Sequence, residues 1–290
     1  MTSILLALAA AAVMGWASVA QQHVASGVPV HEGGAIHLVL QLLRHPLWLA
    51  AFGANLIGFA LHSWALDLGS LLTVEPVIAT TLLFALAIGT WWSHRPLGTR
   101  VWVAAALLVG GLAVFLVAGD PSAQDVDAPT LRWLAAGVVL VPVIAALWWY
   151  AHRHRGPARA ITFGITAGVA FGVQASLLKA SSIDFGSGIA DQVDNWKPYA
   201  MLAFGVVGFL LQQSAFQAGP ISLSLPSTVV IPPIIAAVLS VLVFDSTLNV
   251  SGLRGLYIGL AMLAMLGGLI VISRAEARRE TAEKSAPAPA

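Results

Sequence analysis

The sequence predicts an all-α membrane protein of about nine transmembrane helices, arranged as two inverted-topology repeats. Three observations lead to this prediction. Only 9% of the 290 residues are charged and 58% are hydrophobic, whereas a soluble domain carries about 25% charged residues. About nine apolar stretches are long enough to cross a bilayer, which takes about 20 helical residues. Finally, glycine and proline patterns of the first half recur in the second half.

The predicted spans are helices, because only helices and closed barrels satisfy every backbone polar group inside lipid. The first apolar stretch ends in Ala17-Ser18-Val19-Ala20, which is similar to a signal-peptide cleavage site. Because no Lys or Arg precedes it, we expect a retained helix instead. We place the spans at residues 3–20, 46–66, 71–92, 101–119, 131–150, 158–180, 198–216, 222–244 and 253–273.

The internal repeat pairs the four spans on either side of a central one. Gly58-Phe59-Ala60-Leu61 recurs as Gly208-Phe209-Leu210-Leu211, and Gly15 recurs as Gly172. Matching spans are an odd number of spans apart, so the two copies have opposite orientations, as in many secondary transporters. The predicted units are residues 1–119 as the first repeat, 131–150 as a linking span, 158–273 as the second repeat and 274–290 as a disordered cytoplasmic tail.

Paired glycines mark the fourth span of each repeat. Gly110-Gly111-Leu112 recurs as Gly267-Gly268-Leu269. Small residues let helices approach closely in membranes, so we expect close helix packing at both pairs.

Charge predicts the orientation. Ten of the 14 Lys and Arg residues fall on the side that holds the C-terminus. The positive-inside rule then places the C-terminus in the cytoplasm and the N-terminus outside. We expect a multi-pass protein of the plasma (inner) membrane, with the lipid bilayer as a partner and a homodimer left open. The net charge of +1 gives no reason to expect nucleic-acid binding.

Glu75 is the leading candidate for a substrate-binding residue or a metal ligand. It comes directly before Pro76, near the predicted start of the third span. A carboxylate at the centre of a membrane helix costs about 2.5–3.5 kcal/mol on insertion scales, and a proline disfavours helix at the preceding residue. Glu75 could therefore bind a cation or a proton beside free backbone groups. The alternative is an exposed acid in the first turn of the helix.

The eighth span carries the matching proline, Pro226, between Ser224 and Ser227. Interrupted segments at corresponding positions of two repeats indicate a binding site, and a kinked structural helix is the alternative.

Other polar residues lie inside or beside the spans. Asn55 and His62 are seven residues apart and share one helix face, and Gln174 and Gln213 occupy the sixth and seventh spans. Substrate contact and simple interhelical hydrogen bonding both explain them. Two acids near the outer ends of spans could collect cations at the mouth: Asp67 and Asp184.

The basic run His152-Arg153-His154-Arg155 is interpreted as an orientation signal, with a phospholipid head-group site as the alternative.

Several function classes lack their signatures. The chain has no cysteine, which excludes disulfides, thiol catalysis and cysteine-ligated metals. It has no Walker loop, no HExxH and no Gly-x-Ser-x-Gly. We therefore expect neither an enzyme nor a cofactor, and transport would be driven by gradients. A non-transporting scaffold or sensor, and a membrane enzyme acting on lipid, are the alternatives.

One stretch resembles a known family. Ala65-Leu66-Asp67-Leu68-Gly69 through Val74-Glu75-Pro76-Val77, followed by a span, a short basic turn and a glycine-rich span, resembles the EamA-type repeat of the drug/metabolite transporter superfamily. A weaker copy covers residues 215–269. The entry to the second span, Leu43-Arg44-His45-Pro46-Leu47-Trp48, is similar to the NIPA-type magnesium-transporter branch. The superfamily implies export of metabolites, amino acids or drugs, and the NIPA-type branch implies transport of a divalent cation such as Mg²⁺.

Overall fold

All regular structure in the described part of the chain is helical. The computed structural model describes residues 1–29, 34–68, 74, 77–94, 96–119, 128–184, 195–244 and 253–285. Eight of the helices are long and apolar enough to cross a membrane, and Thr81–Ser93 is a shorter apolar helix. The helices are α1 (Thr2–Gly27), α2 (Gly34–Leu42), α3 (Pro46–Leu68), α4 (Thr81–Ser93), α5 (Thr99–Gly119), α6 (Thr130–Arg153), α7 (Pro157–Asp184), α8 (Trp196–Ala218), α9 (Ile221–Phe244) and α10 (Leu253–Ser285).

The all-helical, multi-pass part of the prediction is confirmed, and three boundaries differ. Within the described part of the span predicted over 71–92, residues 74, 77 and 78 are helical, a turn follows at 79–80, and α4 then begins at Thr81. The first helix continues to Gly27 instead of ending near residue 20, because its added polar residues find partners inside the bundle. The last helix continues to Ser285, where the sequence predicts a disordered tail. The added segment is rich in Ala, Glu, Arg and Lys, which are strong helix formers.

The eighth predicted span is one uninterrupted helix. Pro226, Pro232 and Pro233 all lie inside α9. A proline has no N–H to donate to the carbonyl four residues earlier. The prolines at 232 and 233 therefore leave the carbonyls of Thr228 and Val229 without their usual helical donors.

Helices at corresponding positions of the two halves pack in the same way. α1 packs on α3 and on α4, and α7 packs on α8 and on α9. At the first pair of contacts, a β-carbon added at Gly58 would meet Met14 Cγ at 2.5 Å, and one at Gly208 would meet Phe171 Cδ1 at 2.7 Å. Met14 and Phe171 are separated by the same number of residues as Gly15 and Gly172.

The second pair of contacts joins α1 to α4 and α7 to α9. A β-carbon added at Gly15 would lie 2.9 Å from Phe84 Cβ on α4, and one at Gly172 would lie 2.6 Å from Ile235 Cβ on α9. On α7 the close contact continues along Gly164 and Gly168, whose added β-carbons would also meet α9. Small residues thus bring these helix backbones together, which is the usual packing mode in membranes.

Helices α5 and α10 pack against each other and run antiparallel. An added β-carbon at Gly111 would lie 3.0 Å from Ala261 O, and one at Gly268 would lie 2.8 Å from Ala104 O. The later residue of each helix thus meets the earlier residue of the other, so the helices are antiparallel. The expectation of close packing is correct for Gly111 and Gly268, whereas nothing lies within 4 Å of the β-carbon positions of Gly110 and Gly267.

Helix α6 lies at the edge of the bundle. Its apolar side chains are mostly exposed, with Leu131 and Val138 each 75% exposed. It packs on α7 and α9, and Gly156, with a φ of 64°, makes the turn into α7. Because Gly has no Cβ, it adopts this left-handed conformation readily. An apolar exposed face of this kind fits a helix whose solvent is lipid.

Candidate functional site

A cavity of about 710 Å³ opens at one end of the bundle. Helices α1, α4 and α8 end at this cavity, and α7 and α9 begin there. We call this end the cavity end. Its polar lining comprises Gln22, His23, Ser26, Thr90, Ser93 and Ser222.

The polar side chains of the cavity wall mainly offer hydrogen-bond acceptors. The hydroxyls of Ser26, Thr90 and Ser93 donate to the carbonyls of His23, Leu86 and Gly89 at 3.0, 2.6 and 2.7 Å. A hydroxyl has one hydrogen, so each of these groups has only lone pairs left for a solute.

The helix ends around the cavity reinforce this polarity. The carbonyl ends of α1, α4 and α8 carry partial negative charge. Helix α7 starts with Pro157, and Pro220 directly precedes α9, and neither proline has an N–H to donate. The side chains of His23 and Trp92 face each other with ring centroids 5.4 Å apart, and both line the cavity. The cavity wall therefore combines hydrogen-bond acceptors and the carbonyl ends of three helices with the amino ends of α7 and α9.

Gly89 on α4 lines the cavity. A β-carbon added there would lie 3.2 Å from Ile221 Cγ2 and 3.8 Å from Val19 Cγ2. Both neighbours line the cavity, so a large side chain at position 89 would fill it.

A buried amide network joins α1, α3 and α8 next to the cavity. Trp48 Nε1 donates to Gln213 Oε1 at 3.1 Å, and Gln213 Nε2 donates to Gln21 Oε1 at 2.9 Å. All three residues are at most 1% exposed. Gln21 Nε2 is buried without a hydrogen-bond partner among the described residues. An unsatisfied buried donor is costly, so this amide is a ready donor to any acceptor that reaches it.

Gln22, which follows Gln21 in the sequence, makes a further amide contact at the cavity. Gln22 lines the cavity, and its Nε2 donates to Gly219 O at 3.1 Å. On α8, Gln217 Nε2 donates to Val28 O at 3.1 Å. The end of α1 is thus tied to the end of α8 by side-chain amides.

The opposite end of the second half is closed by apolar side chains. Leu177 and Ala180 of α7 pack with Leu239, Val243 and Phe244 of α9, and all are at most 2% exposed. In the predicted repeat Ala180 corresponds to His23, which is exposed at the cavity. Among the described residues the two ends therefore differ: one opens into a polar cavity, whereas the far ends of α7 and α9 pack together through apolar side chains.

The predicted site residues lie in different parts of the structure. Ser224 and Ser227 are fully buried on α9. Ser224 Oγ donates to Pro220 O at 3.3 Å, whereas Ser227 Oγ has no described partner. Both face the Gly164 backbone of α7, and Pro226 lies between them. Gln213 belongs to the amide network.

The other predicted polar residues lie elsewhere on the helices or outside the described residues. Asn55 and His62 are partly buried on α3, and the His62 ring lies 6.2 Å from that of Phe59. Gln174 packs on Gly205 of α8. Asp67 and Asp184 lie within α3 and at the end of α7, with side chains outside the described part. Glu75 and Pro76 both lie outside the described residues.

Sequence reasoning missed the cavity wall and most of the amide network. None of the predicted site residues is among the described residues that line the cavity. The available signal was the run Gln21-Gln22-His23, which directly follows the apolar stretch of the first predicted span. Within the described residues no group of three His, Asp or Glu side chains could hold a metal ion.

Comparison with known proteins gives one relevant similarity. The chain is 28% identical over 273 residues to an uncharacterized protein of Corynebacterium glutamicum, a match that covers 94% of each chain. No protein-family model matches the chain. No solved structure matches it either.

Proposed function

We propose that this multi-pass membrane protein is a secondary transporter that moves a small organic solute by alternating access. The observation that carries the proposal is the difference between the two ends of the bundle. A polar cavity opens beside α1 and α4, while the corresponding ends of α7 and α9 are closed by Leu177, Ala180 and Phe244. A transporter caught open to one side has this arrangement, since its two gates open alternately.

The helix contacts support an inverted repeat, which would supply the second conformation. Gly15 and Gly172 make the same close contact in each half, and Gly111 and Gly268 make reciprocal contacts between α5 and α10. The antiparallel crossing of these two corresponding helices is what an axis in the membrane plane would produce. Exchanging the conformations of the two halves would then close the cavity and open the other end.

The positive-inside count would make the cavity end cytoplasmic. The solute would enter there and meet His23, Trp92 and the acceptor-rich wall. Resemblance to EamA-type transporters fits an organic metabolite or drug as the solute. Magnesium transport remains the alternative, and it rests on Glu75 and on the resemblance to the NIPA-type branch.

Solute flux into proteoliposomes tests the proposal. Labelled amino acids and organic amines, and Mg²⁺ with an entrapped indicator, would be offered to the wild type, to Gly89→Trp and to Gly137→Trp. We expect flux of an organic solute in the wild type and in Gly137→Trp, because nothing lies within 4 Å of the β-carbon position of Gly137. Flux should be lost in Gly89→Trp, whose side chain fills the cavity.

Flux that is equal in Gly89→Trp and in the wild type would remove the cavity from the pathway. Mg²⁺ flux that depends on Glu75, shown by its loss in Glu75→Gln, would replace the organic solute with the cation.

A further inference from the structure

The turn between α6 and α7 concentrates positive charge at the cavity end of the bundle. Arg153, Arg155 and Arg159 lie within two turns of chain, together with His152 and His154, and no Asp or Glu occurs between residues 128 and 183. The sequence alone explains such a run as an orientation signal. The structure shows how the cations are held.

Aromatic rings fix the positions of the basic side chains. The Arg153 guanidinium lies 4.8 Å from the ring centre of Trp149, and that of Arg159 lies 5.5 Å from the ring centre of Phe163. The His154 ring stacks on Tyr150 with centroids 3.8 Å apart. Cation–π contacts of this kind hold a charged group in place without neutralising it.

The histidine preceding Arg153 is held by a carbonyl oxygen and an aromatic ring. His152 Nδ1 lies 2.8 Å from Trp148 O, and its ring meets that of Phe163 edge to face at 5.3 Å. Four of the five basic side chains of this turn are thus pre-organised rather than free to move through solvent.

Two of the arginines make no ion pair among the described residues. Arg159 Nε is buried without a hydrogen-bond partner in the described part of the chain. Arg155 lies four residues earlier in the same turn, is exposed and carries the same charge, and like charges repel. An anion placed between these two guanidinium groups would relieve the repulsion and accept hydrogen bonds from their outer nitrogens. Paired arginines suit a phosphate particularly well, because a guanidinium binds its oxygens in a bidentate manner.

The surroundings of the turn show where such a phosphate would come from. Helix α6 exposes an apolar face along its length, and Trp148, Trp149 and Tyr150 at its end are 44–54% exposed. Exposed Trp and Tyr at a helix end are typical of the level of the lipid head groups. We propose that the α6–α7 turn binds the phosphate of an anionic phospholipid, with Arg153, Arg155 and Arg159 as its ligands.

Native mass spectrometry of the full-length protein in detergent tests this site. The protein would be mixed with phosphatidylglycerol or phosphatidylcholine of the same acyl chains, with and without inorganic phosphate. The variant R153Q/R155Q/R159Q is compared with R100Q/R274Q/R278Q, which removes the same charge from other exposed arginines. Each basic residue near an anionic lipid contributes about a fivefold gain in binding, so the first variant should bind phosphatidylglycerol about a hundredfold more weakly. The control variant should bind it like the wild type.

A single substitution guards against loss of folding in the triple variant. Arg155 is exposed, and Arg155→Gln should weaken phosphatidylglycerol binding about fivefold while the unfolding temperature stays unchanged. Three results would overturn the site: equal binding of the two lipids by the wild type, equal losses in both triple variants, or displacement of the lipid by inorganic phosphate. The last result would indicate a general anion site.

Discussion

Gln213 donates a hydrogen bond from Nε2 to Oε1 of Gln21 at 2.9 Å, and this contact joins α8 to the end of α1 inside the bundle. The same Gln213 side chain accepts from Trp48 Nε1. One amide thus connects three helices beside the cavity, and it fixes the part of α1 that carries Gln22 and His23.

Replacing Gln213 with leucine should destabilise the protein. The change leaves Trp48 Nε1 without an acceptor and Gln21 Oε1 without a donor, and each buried unsatisfied group costs about 1–3 kcal/mol. We expect a lower free energy of unfolding in a detergent titration. Gln212→Leu, on the neighbouring partly buried residue, is the matched control and should change little. Equal losses in the two variants would show that the network does not hold the helices together.

An alanine at Gly172 should disturb the contact between α7 and α9. Its β-carbon would lie 2.6 Å from Ile235 Cβ and 2.8 Å from Pro232 O, and overpacking of this kind costs about 1–3 kcal/mol. Gly137→Ala, in the open space beside α6, should instead stabilise the protein by up to about 1 kcal/mol, because alanine favours helix. The unfolding temperatures of the Gly172→Ala and Gly137→Ala variants would be compared in detergent. Equal unfolding temperatures would contradict the close packing.

A disulfide can test the antiparallel contact of α5 and α10. A β-carbon at Gly111 would lie 3.5 Å from Ala264 Cβ, within the range of about 3.5–4.5 Å found in disulfides. Since the chain has no cysteine of its own, Gly111→Cys with Ala264→Cys should cross-link under mild oxidation. Gly110→Cys with Ala264→Cys should not, because Gly110 faces open space. Mobility on a denaturing gel would measure cross-linking of both pairs. Efficient cross-linking of the Gly110→Cys pair would contradict this alignment of α5 with α10.

The spans could be predicted because they depend on composition and length. Apolar stretches of about 20 residues have few options in a bilayer, and the structure places a helix in each of them. The repeated glycine pairs also predicted close packing of α5 and α10, but the sequence did not show that Gly111 and Gly268 make the contact while Gly110 and Gly267 face open space.

The amide network could not be predicted, because its partners are far apart in sequence. Gln21 and Gln213 are 192 residues apart, and polar residues at the end of an apolar run normally indicate that a span has ended. Here they continue the helix, since tertiary hydrogen bonds offset the cost of burying them. The cavity is equally non-local, because its wall comes from the ends of five helices.

Cysteine accessibility at the two ends of the bundle tests alternating access most directly. His23→Cys and Ala180→Cys, made singly, would be labelled with a membrane-impermeant maleimide in vesicles of each orientation. We expect His23→Cys to react from the cytoplasmic side. Ala180→Cys should react from the outer side, more slowly, whenever the closed end opens. Ala167→Cys, fully buried on α7, sets the background. Labelling of Ala180→Cys no faster than that of Ala167→Cys would contradict alternating access.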